Sequence, residues 1–472
     1  LRGHFDLAMD RQSYGARTSE GLITMAKHGY IRKTPSETPR NSTSPIYQVE
    51  TGSGVKKKPC VLFLTSSYPR HDEDSASIFL RYLARSIAQA GSAVHVLAPD
   101  DKEVIPGQIT DQGVTLHRFR YLPRRLQRLA YGSGILPNLR RHPLLYLQIP
   151  FFLGSMAIAL WRICRVIRPD IIHAHWIIPQ GIIAVYVGRV LKIPVVTTAH
   201  GGDAFALKAA WLSSVKRWVI KRSSAWTANT STTSLAAGVD SSVPSPVLIP
   251  MGVDIELFQS GDPRALRQRH GHYKYIVLFV GRLVEKKGVK DLIEALALLP
   301  ASLRQAIGLW IVGDGADRKP LETLTRARGL ESRVIFWGTI SNRQLPDFYA
   351  AADLFVAPST VDAGGDTEGQ GVVFLEAMAS GTPIIATTAG GIPEVLTPNH
   401  TAVLIRPSRP RELARAIENL LSDSWFRDAL SRAAVHTVIE RYSWEFIASK
   451  FQTIYRQAEA AHRQKRQSRL SW

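Results

Sequence analysis

The 472-residue chain is too long for one hydrophobic core and fits two domains of about 150–200 residues with tails. Its 45% hydrophobic and 21% charged residues exclude a disordered or fibrous chain, and two cysteines without CxxC spacing, Cys60 and Cys164, exclude a disulfide framework and fit a reducing cytosol. A net charge of +20 points to anionic partners: lipid, nucleic acid or phosphorylated substrates.

Residues 1–55 lack sustained apolar periodicity and a signal-peptide core, and a stretch such as Thr34-Pro-Ser-Glu-Thr-Pro-Arg40 reads as a disordered or non-native tail. A first domain is expected over 56–248. Val61–Thr65 is a buried-strand run, Ser66–Ser77 a polar loop, Ile78–Ala90 a helix stopped by Gly91, and Val94–Ala98 the next strand. Ile171–His173, a helix near Gly181–Leu191 and Val195–Thr198 continue the alternation. Strand, helix, strand at this rhythm predicts a parallel sheet covered on both faces. A second domain of the same kind is expected over 249–440, with strands at Tyr275–Val280, Gly308–Val312, Val334–Phe336, Leu354–Val356 and Pro383–Ala386. The remainder, 441–472, reads as a helix returning to the first domain and a basic tail, His462-Arg-Gln-Lys-Arg466. The fold class is therefore α/β, two Rossmann-like domains in tandem.

Charge concentrates in the first domain. No Asp or Glu occurs from Gln112 to Pro169, while arginines stand at 118, 120, 124, 125, 128, 140, 141, 162, 165 and 168 among Tyr121, Leu122, Leu126, Leu129, Tyr131, Ile135 and Leu136. Basic and apolar residues so interleaved suit an anionic membrane surface. Pro143–Trp161 is apolar but interrupted by Gln148, Pro150 and Gly154, so it reads as a buried or surface-lying helix in preference to a membrane span.

Three constellations carry chemistry. In Glu368-Gly-Gln-Gly-Val-Val-Phe-Leu-Glu376, preceded by Asp362-Ala-Gly-Gly-Asp366, two carboxylates flank a glycine loop and a helix start near Val372. Gly369 and Gly371 allow close backbone approach, free N–H groups at the helix start can hold phosphate or sugar oxygens, and each carboxylate can accept from paired hydroxyls. Gly281-Arg-Leu-Val-Glu-Lys-Lys-Gly288 follows a strand, where ligands bind in open α/β sheets; Arg282 and Lys287 there can clamp a diphosphate and favour its departure, whereas Lys286 reads as surface charge. Thr198-Ala-His-Gly-Gly-Asp203 ends a strand of the first domain and would turn His200 and Asp203 to the cleft. Two motifs are weaker. Gly313-Asp-Gly315 is half a dinucleotide fingerprint, with Arg318 in place of the third glycine, and lines a nucleotide pocket at most. His173-Ala-His175 looks like a metal pair, but without a nearby carboxylate or cysteine His175 reads as cleft lining.

The order His-Gly-Gly-Asp, Gly-Arg-Leu…Lys-Gly, Glu-x7-Glu, Ala377-Met-Ala-Ser-Gly-Thr-Pro383 and Gly390-Gly-Ile-Pro-Glu394 resembles retaining glycosyltransferases of family 4, over roughly residues 59–460. The resemblance implies a GT-B fold with the two sheets facing across a cleft, an N-terminal acceptor domain, a C-terminal nucleotide-sugar domain, no metal or other cofactor, and a front-face mechanism that retains anomeric configuration. It implies Glu368 on donor sugar hydroxyls, Glu376 on the ribose, Arg282 and Lys287 on the diphosphate, and His200 beside the transferred sugar; the residues themselves add Gly313, Gly315, Gly369, Gln370 and Gly371 around the donor, and His175 and Asp203 at the acceptor or cleft. Many members carry Gly-Gly in the loop after the first strand; Tyr68–Ser77 here has no glycine, so its backbone approaches a ligand less freely. The expected activity is transfer of a hexose from a UDP- or GDP-sugar to a glycan or lipid-linked acceptor, in the cytoplasm on the inner face of the plasma membrane. The rivals are a nucleotide-sugar epimerase of the same fold, a two-carboxylate glycosidase, and a nucleic-acid-binding protein. The last is disfavoured because the basic stretch forms no recognised nucleic-acid module, and no nucleic acid is expected as partner.

Overall fold

The computed structural model describes residues 58–468 except 75, 108, 133, 208, 239 and 241; the tail expected over 1–55 lies outside the described residues. Two open sheets organise them. The first has eight strands: β1 (Cys60–Leu64), β2 (Ala93–Pro99), β3 (Thr110–Asp111), β4 (Val114–Phe119), β5 (Ile171–His175), β6 (Val195–Ala199), β7 (Ala225–Ala228) and β8 (Val247–Leu248). Their order is β3-β4-β2-β1-β5-β6-β7-β8. All pairs are parallel except β3 with β4. The second has six parallel strands: β9 (Tyr275–Val280), β10 (Ile307–Val312), β11 (Val334–Gly338), β12 (Leu354–Ala357), β13 (Ile384–Thr387) and β14 (Val403–Ile405), ordered β11-β10-β9-β12-β13-β14.

Parallel pairing demands a crossover between successive strands, and helices on both faces bury the central strands. Every residue of β5, including His173 and His175, is buried. This layout fixes where a ligand can bind. Strand order reverses beside β1 in the first sheet and beside β9 in the second. The loops leaving β1 and β5, and those leaving β9 and β12, therefore open the crevices that α/β sheets use for ligands.

Pro143–Ile167 is long and apolar enough by composition to cross a bilayer. It folds as a short 3-10 turn, Pro143–Gln148, followed by the helix Ile149–Ile167. Phe152, Met156, Leu160 and Cys164, each four apart, form the stripe that packs with Leu62, Leu97 and Ile172 under the first sheet. The opposite side leaves Phe151, Ile158 and Val166 exposed.

The chain crosses between the sheets twice. Val253 N–H donates to the Tyr442 carbonyl at 2.9 Å, so the outgoing and returning segments run side by side. Gly252 is required there, because a Cβ would lie 2.8 Å from the Tyr442 carbonyl oxygen and 2.9 Å from the Trp444 ring. Beyond this crossing the helix Trp444–Ser468 buries Ile447, Phe451 and Tyr455 among Val61, Phe63 and Leu80 of the first sheet's layer.

Candidate active site

The loop leaving β9 makes one 3-10 turn, Glu285–Lys287, and ends at Gly288 in left-handed conformation (φ 68°). A Cβ at Gly288 would overlap the Pro358 carbonyl oxygen at 1.9 Å, so glycine lets this loop rest on the one leaving β12. Lys287 thereby reaches the Glu368 carboxylate and forms an ion pair with it, each side chain 13% exposed. Burial alone would raise the Glu368 pKa; Lys287, with Lys286 and Arg282 behind it, more than offsets that and holds the carboxyl below its ordinary range. Arg282 is exposed and makes no ion pair among the described residues. Lys286 corrects its reading as surface charge: its Nζ meets Asp366 Oδ2 at 2.9 Å and donates to the Thr367 carbonyl at 3.1 Å, pinning the acidic loop.

Glu376 lies one turn into the helix Val372–Ala379 and is buried. Burial pushes its pKa up to about 7, against the opposing effects of the Tyr349 hydroxyl, which donates to Oε2 at 2.8 Å, and of Lys287. Tyr349 was not legible as a site residue, since its partner lies on another helix. Glu368, Lys287, Arg282 and Glu376 thus belong to one electrostatic neighbourhood at the reversal point of the second sheet.

Three residues expected around the donor have protein neighbours of their own. Gln370 is buried and its side chain is committed to the linker: Nε2 donates to the Met251 carbonyl at 2.9 Å and Oε1 accepts from the Met251 N–H at 2.7 Å. Gly313 and Gly315 make room for protein backbone on the side a Cβ would occupy. A Cβ on the first would sit 1.9 Å from the Gly281 carbonyl oxygen, and on the second 2.2 Å from that of Leu283. Leu283 N–H in turn donates to the Asp314 carbonyl at 3.0 Å. Gly371 starts the helix Val372–Ala379 at φ 75°, and Gly369 faces the first domain, where a Cβ would lie 3.4 Å from Gly201 Cα.

That contact brings the end of β6 to the Glu368 loop. His200 is 4% exposed and packs on the rings of Trp176 and Phe79, with centroids 5.1 and 5.3 Å away. Burial pushes its pKa down to about 3, so the imidazole is neutral. His175 does not line the cleft. It is fully buried behind His200, with its Nδ1 3.3 Å from His200 Nε2. Asp203 lies on the helix Gly201–Ala206, but its side chain is outside the described residues. The His173–His175 pair finds a structural explanation too: both His173 nitrogens are taken, by the Tyr455 hydroxyl at 2.8 Å and Thr198 Oγ1 at 2.7 Å. Among the described residues, no group of three His, Cys, Asp or Glu side chains is placed to hold a metal.

Side chains do for the β1 loop what glycines do elsewhere. Arg70 pairs with Asp74, Asp101 and Glu103 at 2.6, 3.1 and 2.7 Å, and the Tyr68 hydroxyl donates to Asp111 at 3.2 Å. Two further cross-domain contacts were missed. Glu394 caps the helix Ser231–Ala236, accepting from Ser231 N–H at 2.6 Å, Thr232 N–H at 2.9 Å and Thr232 Oγ1 at 2.7 Å. Asn342 Nδ2 donates to the Tyr82 hydroxyl at 2.9 Å, beside a polar hollow of about 130 Å³ between the domains. The roomier hollows, of about 680 and 550 Å³, lie around Arg406 and Glu412, away from these residues.

Two Rossmann-like sheets joined by a double crossing, with charged loops from the second meeting the strand ends of the first, define a GT-B type glycosyltransferase. The chain belongs to the group 1, or family 4, glycosyltransferases: the description "Glycosyltransferase Family 4" matches residues 76–257 and "Glycosyl transferases group 1" matches 264–437. It is 34% identical over 220 residues to the GDP-mannose-dependent alpha-(1-6)-phosphatidylinositol monomannoside mannosyltransferase of Mycobacterium tuberculosis, covering 45% of this chain and 56% of that protein. It is 29% identical over 332 residues to the D-inositol 3-phosphate glycosyltransferase of Corynebacterium diphtheriae, covering 65% of this chain and 75% of that one. For the mycobacterial protein and a Methanocaldococcus jannaschii glycosyltransferase, at 56% and 44%, the match spans about half of the relative's length. The fold is shared with Anabaena HepE, solved in complex with UDP, at TM-score 0.63 and 21% identity over 84% of this chain and 99% of that one.

Proposed function

We infer that this chain transfers a hexose from a UDP- or GDP-sugar to a glycan or lipid-linked acceptor with retention at the anomeric carbon. The observation that carries the reading is the Lys287–Glu368 pair with exposed Arg282 beside it, set where the β9 and β12 loops meet the end of β6. An incoming diphosphate would draw Lys287 and Arg282 to its oxygens and leave Glu368 to accept from sugar hydroxyls. Glu376, in its ionised form, would accept from the ribose. As the bond from the anomeric carbon to the diphosphate oxygen breaks, charge grows on the phosphate, and fixed cations favour that state over the ground state. The acceptor oxygen then bonds to the carbon on the same face, and its proton passes to the departing phosphate. This path uses no protein nucleophile and no metal. His200, being neutral, serves as a hydrogen-bonding wall for the sugar. The UDP bound to Anabaena HepE and the GDP-mannose dependence of the mycobacterial relative support the donor class in general and leave both nucleotides open.

A membrane-facing acceptor is supported by the first domain's surface. Arg120 and Arg124 are tied to Asp100, at 2.5 and 2.8 Å, and Arg118 to the Tyr131 hydroxyl at 2.9 Å. Arg125, Arg128, Arg140, Arg162 and Arg168 are exposed, as are Leu144, Tyr146, Leu147 and Phe151. Each such cation contributes about 1 kcal/mol near an anionic surface, which suits a peripheral enzyme at the inner face of the plasma membrane.

The deciding experiment is a donor screen by calorimetry and hydrolysis with UDP-, GDP- and ADP-sugars. Lys287→Ala and Glu368→Ala should each abolish turnover; full rates in both variants would refute the site. Sedimentation with phosphatidylglycerol vesicles, weakened by salt and absent with phosphatidylcholine, tests the surface, and equal binding to both lipids would refute it.

A further inference from the structure

Three loops leave the first sheet around its reversal point, and each brings one ring to the same place. Phe79 stands at the start of the helix Ile78–Gln89 that follows β1, Trp176 follows β5, and His200 follows β6. Ring centroids are 5.1 Å apart for Trp176 and His200, 5.3 Å for Phe79 and His200, and 6.4 Å for Phe79 and Trp176. Mutual tilts of 52° to 68° keep the rings from covering one another face to face. Phe79 and Trp176 are half-buried, whereas His200 is nearly covered. The backbone is strained to hold them. Trp176 has φ 75° and ψ 134°, a conformation that a bulky residue adopts only under constraint. Its N–H donates to the Thr198 carbonyl at 2.9 Å and its carbonyl accepts from Gly181 N–H at 3.2 Å, which locks that conformation in place. Ser77, two residues before Phe79, is left-handed as well (φ 52°). Strain of this kind gathers where a ligand is held. The Trp176 indole N–H has no hydrogen-bond partner among the described residues. The donor loop is adjacent: Gly201, beside His200, abuts Gly369, and Val372 packs against the same apolar cluster as Phe79 and Trp176.

We propose that Trp176 and Phe79 form the platform for the acceptor, and that the group they hold is an uncharged pyranose ring. A pyranose carries its hydroxyls around the rim and C–H bonds on its faces. Those weakly positive hydrogens match the negative face of an aromatic ring, and the indole N–H can donate to a rim hydroxyl oxygen. Aromatic walls with a few polar groups are the usual lining of a small-molecule site. The local charge argues against a phosphorylated group. With His71 neutral, the loop Tyr68–Ser77 sets Arg70 against Asp72, Glu73 and Asp74, a net charge of −2. Arg70 is already committed to Asp74, Asp101 and Glu103. Residues 176–181 carry no charged side chain, and 200–206 carry only Asp203 besides the neutral His200. A phosphate on the acceptor would therefore meet carboxylates here and no uncommitted cation from these loops. The inference rests on the transferase function proposed above and names the acceptor class within it.

The test has two arms. The first needs no turnover: saturation-transfer NMR of octyl mannoside, octyl glucoside and octyl galactoside with the full chain and UDP or GDP. Saturation should reach the ring protons of one face in at least one glycoside, persist in Trp176→Phe and vanish in Trp176→Leu. No saturation of any ring, saturation confined to the octyl chain, or an unchanged pattern in Trp176→Leu would overturn the platform. The second arm measures transfer to the same glycosides and to their 6-phosphates. The neutral acceptor should show a kcat/KM about tenfold or more above its phosphorylated counterpart, and Trp176→Leu should raise acceptor KM about tenfold with donor KM within about twofold. Trp176→Phe should recover most of that loss. A phosphorylated glycoside used as well or better, transfer to no neutral glycoside while the donor is hydrolysed, or an unchanged acceptor KM in folded Trp176→Leu would refute the assignment. The comparison of neutral with phosphorylated acceptors uses wild-type protein, so it decides whether or not a variant folds. A wild-type protein that turns over no nucleotide-sugar would instead refute the transferase function, and the first arm would still decide on the platform.

Discussion

Glu376 makes donor binding sensitive to pH near neutrality. Burial lifts its pKa to about 7, while the Tyr349 hydroxyl and Lys287 pull the other way. A group titrating at 7 is about one-tenth ionised at pH 6 and about nine-tenths at pH 8. If the carboxylate is the form that accepts from both ribose hydroxyls, apparent donor affinity falls about tenfold, or about 1.4 kcal/mol, from pH 8 to pH 6. The assay is calorimetric titration of an intact nucleotide-sugar without acceptor at pH 6, 7 and 8. Its diphosphate is esterified at both ends and does not itself titrate in that range, as a free UDP or GDP would. Binding below pH 7 should also release a proton, visible as an apparent enthalpy that varies with the ionisation enthalpy of the buffer. Glu376→Gln should bind more weakly at pH 8 and show no pH slope. A flat wild-type profile, or an unchanged slope in Glu376→Gln, would refute the assignment of this carboxyl to the ribose. Stability carries the opposite sign. The folded pKa is raised from an ordinary 4.5, so between 4.5 and about 7 the folded protein keeps a proton the unfolded chain releases. Melting temperature should therefore fall as pH rises through that window and level off above it, by up to about 3 kcal/mol of stability at this residue.

The Lys287–Glu368 pair should behave as a coupled unit in denaturant unfolding. Each single Ala variant leaves a mostly buried charge behind and should cost about 1–3 kcal/mol, and the double variant should cost less than the sum; strict additivity would mean the pair does not interact in solution. Glu394→Ala removes the cap on Ser231–Ala236 and should cost about 1 kcal/mol of interdomain contact. That is about a fivefold shift toward separated domains, to be read as a larger radius of gyration in small-angle scattering and a raised donor KM; unchanged values of both would count against a role in closure. Gly391→Ala places a Cβ 1.9 Å from the Gly369 carbonyl oxygen, so it should displace the Glu368 loop. A loss of about 1–3 kcal/mol with weakened donor binding is expected, and wild-type affinity would show that the loop adapts freely.

What could be read from the sequence divides by the distance over which its cause acts. Tyr275–Val280 is a strand at the expected residues because six apolar positions in a row mark a fully buried parallel strand without reference to any neighbour. Ala225–Ala228 and Val247–Leu248 escaped notice because they are short and carry Ala, Thr or exposed residues; pairing with the sheet edge makes them strands. The same division holds in the site. Lys287 and Glu368 were legible because each stands in a glycine-bearing loop after a strand, where sheet topology alone predicts a crevice. Gln370 shares that loop and was read with it, yet its amide belongs to Met251 across the linker, a partner that no local pattern reveals. Glu394 is the converse: the motif containing it was visible, but its work is to cap a helix of the other domain through Ser231 and Thr232. Glycines divide the same way, since Gly313 and Gly315 look like ligand-binding turns and in fact make room for the Gly281 and Leu283 carbonyls. Sequence spacing therefore locates charge at the crevice, while the contacts that set its geometry are long-range pairings. For that reason the substitutions most informative about mechanism lie at Tyr349 and Glu394, residues that touch the site or the first domain from another element and whose loss should alter pH dependence or closure before it alters the fold.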